Sequence, residues 1–199
     1  MPQKRPRIRV PVKAAIGEDE SETFSGDFYL SRYRRTDTAE LVKHLSNKAI
    51  SANLRLPPFP YTEALANRWY DFLDKEKVQH PTDASFRYTI RRRSTDLLVG
   101  DISLEELKEE KGTYKLGYWL AEEEWGKGVM TEAVGLILRR ACEAGIGKIG
   151  VSIQQGNWGS RRVLEKNGFR YIGEFEEDWM GEKKAVSQFE YDLEMKPKA

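Results

Sequence analysis

Hydrophobic positions recur along this chain with two different periods, and the changes between them predict the order of its elements. Seven segments alternate apolar and polar residues, as half-buried strands do: 28–33, 86–91, 97–104, 114–120, 149–153, 171–175 and 186–193. Four segments repeat their apolar positions every three or four residues, as amphipathic helices do: 37–47, 62–73, 128–144 and 158–167.

Local signals mark where these segments start and stop. Asp37, with Glu40 three residues later, resembles a capping box at a helix N-terminus. Prolines at positions 57, 58 and 60 are incompatible with the interior of a helix or strand, so residues 54–61 are predicted to form an ordered loop. Gly168 follows a helical segment and is predicted to end it in the left-handed conformation.

The order strand, two helices, three antiparallel strands, helix, strand, helix and two strands predicts one α+β domain. No internal repeat or linker interrupts this order, so we expect a single domain over residues 26–195, preceded by a flexible arm over residues 1–25. The first half of the arm is basic. A solvated tail is favoured there over a nuclear-localisation or RNA-binding segment.

Composition narrows the class of protein further. The 33 Lys and Arg residues nearly balance the 32 Asp and Glu residues, and a net charge of +1 does not favour a nucleic-acid partner. No apolar run approaches the roughly 20 residues needed to cross a bilayer, and the N-terminus has no apolar signal segment, so no membrane partner is expected. Cys142 is the one cysteine in the sequence. A single cysteine indicates a reducing compartment, and we expect the cytoplasm, with the nucleus as the alternative.

The stretch EEEWGKGVMTEA, which lies between a predicted strand and a predicted helix, has chemistry suited to phosphate. Its glycines let the backbone turn and approach a ligand, and the first amides of a helix lack partners at the positive end of the dipole. Any helix start needs turn residues, so the stretch alone leaves both interpretations open. Two common phosphate loops are excluded, because Thr131 stands where a dinucleotide fingerprint needs a glycine and residues 145–148 lack the rest of a P-loop.

Two motifs together resemble a known family. LGYWLAEEEWGKGVMTEAV, followed about 25 residues later by NWGSRRVLEKNGF, resembles the GNAT acetyltransferase superfamily and in particular its RimL/RimJ-like branch. The resemblance covers residues 26–195 and implies one N-acetyltransferase domain with the α+β GNAT fold. In that fold a mixed sheet of about seven strands is flanked by about four helices, and a splayed parallel strand pair holds acetyl-CoA.

The resemblance also implies which residues bind acetyl-CoA, the expected co-substrate, with no metal. Backbone amides at the helix start would bind the pyrophosphate, and they belong to Lys127, Gly128, Val129, Met130 and Thr131. The backbone of the preceding strand would pair with pantetheine at Tyr118, Trp119 and Leu120.

Asn157 and Ser160 form the candidate catalytic pair that the resemblance implies. Asn157 would contact the coenzyme near the thioester, and Ser160 would stabilise or protonate the departing thiolate. Helix capping explains a serine at this helix start equally well, because Asn and Ser are the usual capping residues.

The chain departs from the family pattern at three positions. The general motif has Gln or Arg where Trp125 stands and prefers Gly or Ala where Met130 stands. Members of the branch often carry Glu at the position of Lys115, so an acidic base is absent there. A carboxylate acting through water could replace it, as could desolvation of the amine. The nearest carboxylates by strand position are Asp101, Glu105 and Glu174.

The expected function is therefore acetyl transfer to a primary amine, either a protein α-amino group or a small molecule. Residues 54–61 and 179–184 are expected to select this acceptor, and the protein is expected to be a monomer or homodimer. A non-catalytic CoA-binding or protein-interaction module is the main alternative, and an RNA- or ribosome-associated protein is a third. Cys142, Trp158 and Trp179 are expected to be core residues rather than functional ones.

Overall fold

Eight strands form one mixed sheet in the computed structural model, which describes residues 22–79, 86–107, 110 and 112–193. In chain order the strands are β1 (Glu22–Phe24), β2 (Phe28–Ser31), β3 (Phe86–Arg92), β4 (Leu98–Glu106), β5 (Thr113–Leu120), β6 (Lys148–Gln154), β7 (Arg170–Trp179) and β8 (Glu182–Asp192). Their order across the sheet follows the chain except that β8 lies between β6 and β7. Strands β5 and β6 run parallel, and all the other neighbours are antiparallel.

The parallel pair comes apart halfway along its length. Strands β5 and β6 are in register only from Thr113↔Lys148 to Lys115↔Gly150. Beyond that point β5 keeps its pairing with β4 as far as Leu120↔Gly100, and β6 keeps its pairing with β8 as far as Gln154↔Val186. Because each strand follows its outer neighbour, a gap opens between residues 116–120 and 151–154.

Helices cover both faces of the sheet. They are α1 (Thr38–Leu45), α2 (Lys48–Ser51), α3 (Glu63–Gln79), α4 (Val129–Glu143) and α5 (Trp158–Lys166). The apolar side of α4 packs with Leu116 and Leu120 in the larger core cluster. Trp119 instead packs with residues of α1 and α3 in a second cluster. Since successive strand residues point to opposite faces, the two clusters lie on opposite faces of the sheet.

The seven strands and four helices predicted from periodicity are all confirmed, with ends displaced by a few residues. Strand β1 and helix α2 were not predicted, because three and four residues are too short to show a period. Strand β1 pairs with β2 and falls inside the expected N-terminal arm. Residues 1–21 of that arm lie outside the described residues. Gly168 has the predicted positive φ, at +82°.

The predicted capping box at Asp37 is wrong. Asp37 makes no side-chain cap to α1. Its carboxylate instead accepts hydrogen bonds from the backbone N–H of Arg34 (2.9 Å) and from the guanidinium of Arg91 (2.5 Å). Arg91 and Asp37 are both almost fully buried. A buried ion pair that links β3 to the start of α1 uses the carboxylate that the cap would need.

Two of the three expected core residues are exposed instead. Cys142 lies next to buried Ala141 on α4, and one residue along a helix is a turn of about 100°, enough to bring it to the surface. Trp158 is 64% exposed, whereas Trp179 is buried as expected.

No described helix is both long and apolar enough to cross a membrane. Among the described residues no group of His, Cys, Asp and Glu side chains could hold a metal ion.

Candidate functional site

The start of α4 presents uncapped backbone amides to open space. Gly128 occupies the N-cap position with φ at +84°, a left-handed conformation that favours glycine. It has no side chain to accept hydrogen bonds from the first-turn amides of Val129, Met130 and Thr131. A Cβ placed on Gly128 would meet nothing within 4 Å. Free amides, positive dipole and open space together form a site that suits an anion.

Contacts of Glu124 and Trp125 hold the loop before α4 in place. Glu124, 1% exposed, forms ion pairs with Arg92 of β3 and, at 3.2 Å, with Lys127. The indole N–H of Trp125 donates to the backbone carbonyl of Leu120 at 2.8 Å. Trp125, which departs from the family motif, therefore ties the loop to the end of β5. These contacts join the loop to β3 and to the end of β5.

The gap between β5 and β6 exposes strand backbone. The N–H of Ala121 donates to Val99, and the carbonyl of Thr113 accepts from Leu107, so odd-numbered residues of β5 point their backbone groups at β4. Because backbone groups alternate sides along a strand, Leu116, Tyr118 and Leu120 point theirs toward β6. The N–H of Leu116 lies in the last residue pair with β6, so the carbonyl of Leu116 and the backbone groups of Tyr118 and Leu120 are the ones that face the gap.

The expectation for Trp119 is therefore corrected. Its backbone groups face β4, and its side chain lies in the cluster on the α1 and α3 face. Of the predicted strand residues, Tyr118 faces the gap with both backbone groups, and Leu120 contributes its N–H because Trp125 already binds its carbonyl. Leu116 was not predicted, although the same alternation along the sequence identifies it once the pairing with β4 is known.

The start of α5 separates the roles of Asn157 and Ser160. Asn157 is the N-cap residue, and its side-chain oxygen accepts from the N–H of Ser160 at 3.1 Å. The Ser160 hydroxyl has no hydrogen-bond partner in the part of the chain that the structure describes. Capping thus accounts for Asn157 but not for the hydroxyl of Ser160.

The starts of α4 and α5 and the gap between β5 and β6 all lie at one edge of the sheet. Helix α4 follows the end of β5 and α5 follows the end of β6, and the carboxyl ends of parallel strands lie at the same edge. The side-chain amide of Asn167 donates to the carbonyl of Thr131 at 3.1 Å and joins the two helices. The hydroxyl of Tyr118 donates to the carbonyl of Ser160 at 3.4 Å across the gap. Burial raises the pKa of Tyr118 to about 12, against a smaller lowering by that hydrogen bond, so its phenol stays neutral.

A cleft of about 220 Å³ lies beside the start of α5. Its lining includes Ile153 and Gln154 from the free end of β6, Asn157 and Trp158 from α5, and Glu174 from β7.

The three predicted base candidates differ in their surroundings. Glu105 forms an ion pair with Arg87 at 3.2 Å, and Glu174 accepts from the side chain of Gln155 at 2.8 Å. Asp101 accepts a hydrogen bond from the hydroxyl of Tyr33 on the α1 and α3 face of the sheet. Burial, with a smaller effect from the charge of Glu105, raises the pKa of Asp101 to about 8. Asp101 is therefore the candidate whose proton affinity suits exchange near neutral pH.

A fourth carboxylate, Glu177, was missed by sequence reasoning. One oxygen accepts from Ser152 (2.5 Å) and Gln188 (3.2 Å), and the other accepts from the indole of Trp179 (3.3 Å). The ammonium of Lys115 lies 3.8 Å from that second oxygen. Burial acts to raise the pKa of Glu177, but the hydrogen bond from Ser152, the charge of Lys115 and the other donors outweigh it, so the pKa is below its usual value. An acidic group thus lies beside Lys115, the position where the family often has one.

The two segments expected to select an acceptor expose apolar side chains. In the loop 54–61, Leu56 is 63% and Phe59 49% exposed, whereas Tyr61 is buried in the cluster that contains Trp119. At the tip of the β7–β8 hairpin, Met180 is exposed. These residues were predicted only as segments, and their role in selecting an acceptor stays a prediction.

The sequence of this chain is similar to those of known proteins. A family model described as "Acetyltransferase (GNAT) domain" matches residues 27–170. The Bacillus subtilis protein named "Probable N-acetyltransferase YjcK" is 38% identical over 93 residues, which are 46% of this chain and 51% of that protein. The chain spans about half the length of the curated relatives it matches.

Solved structures share the fold. The Vibrio fischeri ribosomal-protein-S5-alanine acetyltransferase superposes with a TM-score of 0.74 at 18% identity, covering 90% of this chain and 100% of that one. A RimL ribosomal L7/L12 alpha-N-protein acetyltransferase in complex with coenzyme A superposes with a TM-score of 0.71 at 19% identity, covering 87% and 98%. At these identities the likeness establishes the fold alone.

Proposed function

The chain belongs to the GNAT acetyltransferase family, and we propose that it transfers an acetyl group from acetyl-CoA directly to a primary amine. One observation carries the proposal. The gap between β5 and β6 opens at the same edge of the sheet as the uncapped start of α4. An extended thioester with a pyrophosphate at one end needs both features together.

Acetyl-CoA would bind through backbone groups. Its pyrophosphate would accept hydrogen bonds from amides of residues 127–131, where Gly128 leaves room for the phosphates to reach the backbone. The amide groups of pantetheine would pair with the backbone of Tyr118 and with the carbonyl of Leu116 in the gap. Asn157 caps α5 beside the gap and holds Ser160 in place.

The transfer step needs one bond formed and one broken. The amine nitrogen attacks the thioester carbonyl carbon, a C–N bond forms, and the C–S bond then breaks to release the coenzyme A thiolate. A hydrogen bond from the unpartnered hydroxyl of Ser160 would stabilise that thiolate as its charge develops, and the thiolate then takes up a proton. The nitrogen loses a proton, so that the product is a neutral amide.

Asp101 is the proposed acceptor of the proton from nitrogen. With a pKa of about 8 it binds protons far more tightly than an ordinary carboxylate, and it is ionised at pH values above that. An α-amino group also titrates near 8. Proton transfer between the two is therefore nearly balanced, which suits a general base.

A protein or peptide α-amino group is the favoured acceptor, with a small-molecule amine as the alternative. A lysine side chain, with a pKa near 10.4, would cost roughly 3 kcal/mol more to deprotonate at neutral pH than an α-amine. The non-catalytic alternative was suggested by the absence of an acid at Lys115. Asp101 and Glu177, on the same face of the sheet as Lys115, weaken that argument.

Thiol release from acetyl-CoA tests the proposal. We expect release that depends on an added amine, and faster release with a free N-terminal peptide than with the same peptide acetylated at its N-terminus. A panel that adds free amino acids and polyamines distinguishes peptide from small-molecule acceptors. Coenzyme A binding without release for every acceptor would support the non-catalytic module instead.

A further inference from the structure

Resting on that proposed function, we propose that Glu177 binds the ammonium of the acceptor and that Lys115 occupies this position until the acceptor arrives. The pair would make the enzyme favour acceptors whose only positive charge is that ammonium. Glu177 has no role in the mechanism above, and Lys115 enters it only as a missing acid.

The location of the pair fits an acceptor site. Lys115 belongs to the last residue pair that joins β5 to β6, and Ser152, which donates to Glu177, lies two residues past that pair on β6. The carboxylate therefore lies at the point where the gap begins. Lys115 shares a strand face with Trp119, opposite the face that packs against α4. An amine could approach the thioester there without displacing the coenzyme.

The bonding of Glu177 leaves one position open. A carboxylate has about four lone-pair positions. Two on one oxygen are filled by Ser152 and Gln188, and one on the other oxygen is filled by Trp179. The ammonium of Lys115, at 3.8 Å, is close enough for charge attraction but too far for a hydrogen bond. A ligand ammonium could come closer and fill the fourth position.

The side chain of Lys115 can move away from Glu177 without disturbing the other contacts of that carboxylate. Its side chain is 36% exposed, so the ammonium can swing into water while Ser152, Gln188 and Trp179 keep the carboxylate in place. The displaced cation would remain near the acceptor and repel a second positive charge on it. Monovalent amines, such as an N-terminus followed by a neutral or acidic residue, would thus be favoured over polyamines.

Steady-state kinetics of two variants test this inference. The Lys115 ammonium lies 3.8 Å from the carboxylate without a hydrogen bond to it, so Lys115→Met should lower the KM of a singly charged peptide acceptor by about two- to five-fold with kcat unchanged. The same variant should lower the KM of spermidine by a larger factor, because the repulsion is also removed. Glu177→Gln should raise the acceptor KM at least about tenfold, the effect of losing a charge-assisted hydrogen bond, and leave the KM of acetyl-CoA unchanged.

Matched controls come from the ion pair between Lys148 of β6 and Glu190 of β8, whose charged atoms lie 2.9 Å apart. This pair lies away from the gap. Lys148→Met and Glu190→Gln should leave both KM values unchanged. Glu177 has three donors, so Glu177→Gln could disturb folding, and melting curves are recorded for every variant. If Glu177→Gln unfolds, the acceptor KM of Lys115→Met still tests the inference.

The outcomes separate the two proposals. Unmodified protein that releases no thiol with any acceptor contradicts the proposed function, and the inference fails with it. Turnover by the unmodified protein with an unchanged or raised acceptor KM in Lys115→Met overturns the inference alone. An equal change for the peptide and spermidine overturns the selectivity for singly charged amines.

Discussion

Replacing Asp101 by asparagine should stabilise the protein at alkaline pH and slow its reaction. The carboxyl of Asp101, half-buried on β4, accepts a hydrogen bond from the hydroxyl of Tyr33, and its pKa is raised to about 8 by desolvation and by the charge of Glu105. An asparagine side chain has nearly the same shape and can still accept from Tyr33. It carries no charge at any pH.

The direction in which stability changes with pH depends on whether the folded or the unfolded protein holds the proton of Asp101. Between about pH 4 and pH 8 the folded protein keeps Asp101 protonated while the unfolded chain has lost that proton, so the free energy of unfolding falls as pH rises. The stabilisation present at low pH is lost completely above pH 8. At 1.36 kcal/mol per pKa unit, a pKa of about 8 against about 3.9 in the unfolded chain amounts to at most about 6 kcal/mol.

Urea unfolding of the unmodified protein and of Asp101→Asn at pH 5 and pH 9 measures this effect. We expect Asp101→Asn to be more stable than the unmodified protein by at most about 1.5 kcal/mol at pH 5 and by a clearly larger amount at pH 9. Asp96→Asn is the control of opposite sign, because the hydrogen bond from Tyr29 and the charge of Arg34 lower the pKa of Asp96 despite some desolvation, and its neutralisation should destabilise the protein at both pH values. Equal stabilities of Asp101→Asn and the unmodified protein at pH 9 would show that the carboxylate is well solvated.

The same variant tests the chemistry. With an acceptor amine that titrates well below pH 7, kcat/KM of the unmodified enzyme should rise with pH and level off near pH 8, since Asp101 must be ionised to take a proton. Asp101→Asn should be slower and show no such rise. An unchanged profile would remove Asp101 from the mechanism.

Two further predictions concern the coenzyme site. Gly128→Glu should abolish the thermal stabilisation by coenzyme A, whereas Gly145→Glu, at a glycine of similar positive φ after the end of α4, should keep it; both should cost about 1 kcal/mol of stability. Equal coenzyme A shifts in the two variants would contradict binding at the start of α4. Ser160→Ala should lower kcat without altering the melting temperature or the KM of acetyl-CoA, and Asn157→Ala, which removes the cap, should cost about 1 kcal/mol of stability. Normal turnover by Ser160→Ala would assign the hydroxyl no part in thiolate release.

Much of the fold follows from local patterns. Strand β3 alternates apolar residues, which face the larger core cluster, with polar ones, and the left-handed Gly168 follows from its place after a helix. Strand β1 and helix α2 were not predicted because they are too short to show a periodic pattern of apolar residues. Cys142 was misjudged because a single position separates the buried stripe of α4 from its exposed side.

The candidate site was predicted where it depends on contiguous sequence and missed where it depends on pairing. Gly128 and the amides that follow it lie in one segment, so their chemistry was visible in the sequence. The direction of Trp119 depends on its register with β4, and no local pattern records that register. Glu177 reaches Ser152 across β8, and the residues of β7 around it include several other acids that the sequence does not distinguish from it.

Acetylation of a peptide that carries both a free N-terminus and one lysine tests directly whether the protein transfers acetyl groups to α-amines. After incubation with acetyl-CoA and the protein, mass spectrometry locates the acetyl group while a thiol reagent counts the coenzyme A released. We expect acetyl groups on the α-nitrogen, in amounts equal to the thiol released. Coenzyme A bound by the protein while this peptide and every other amine in the panel remain unmodified would contradict it.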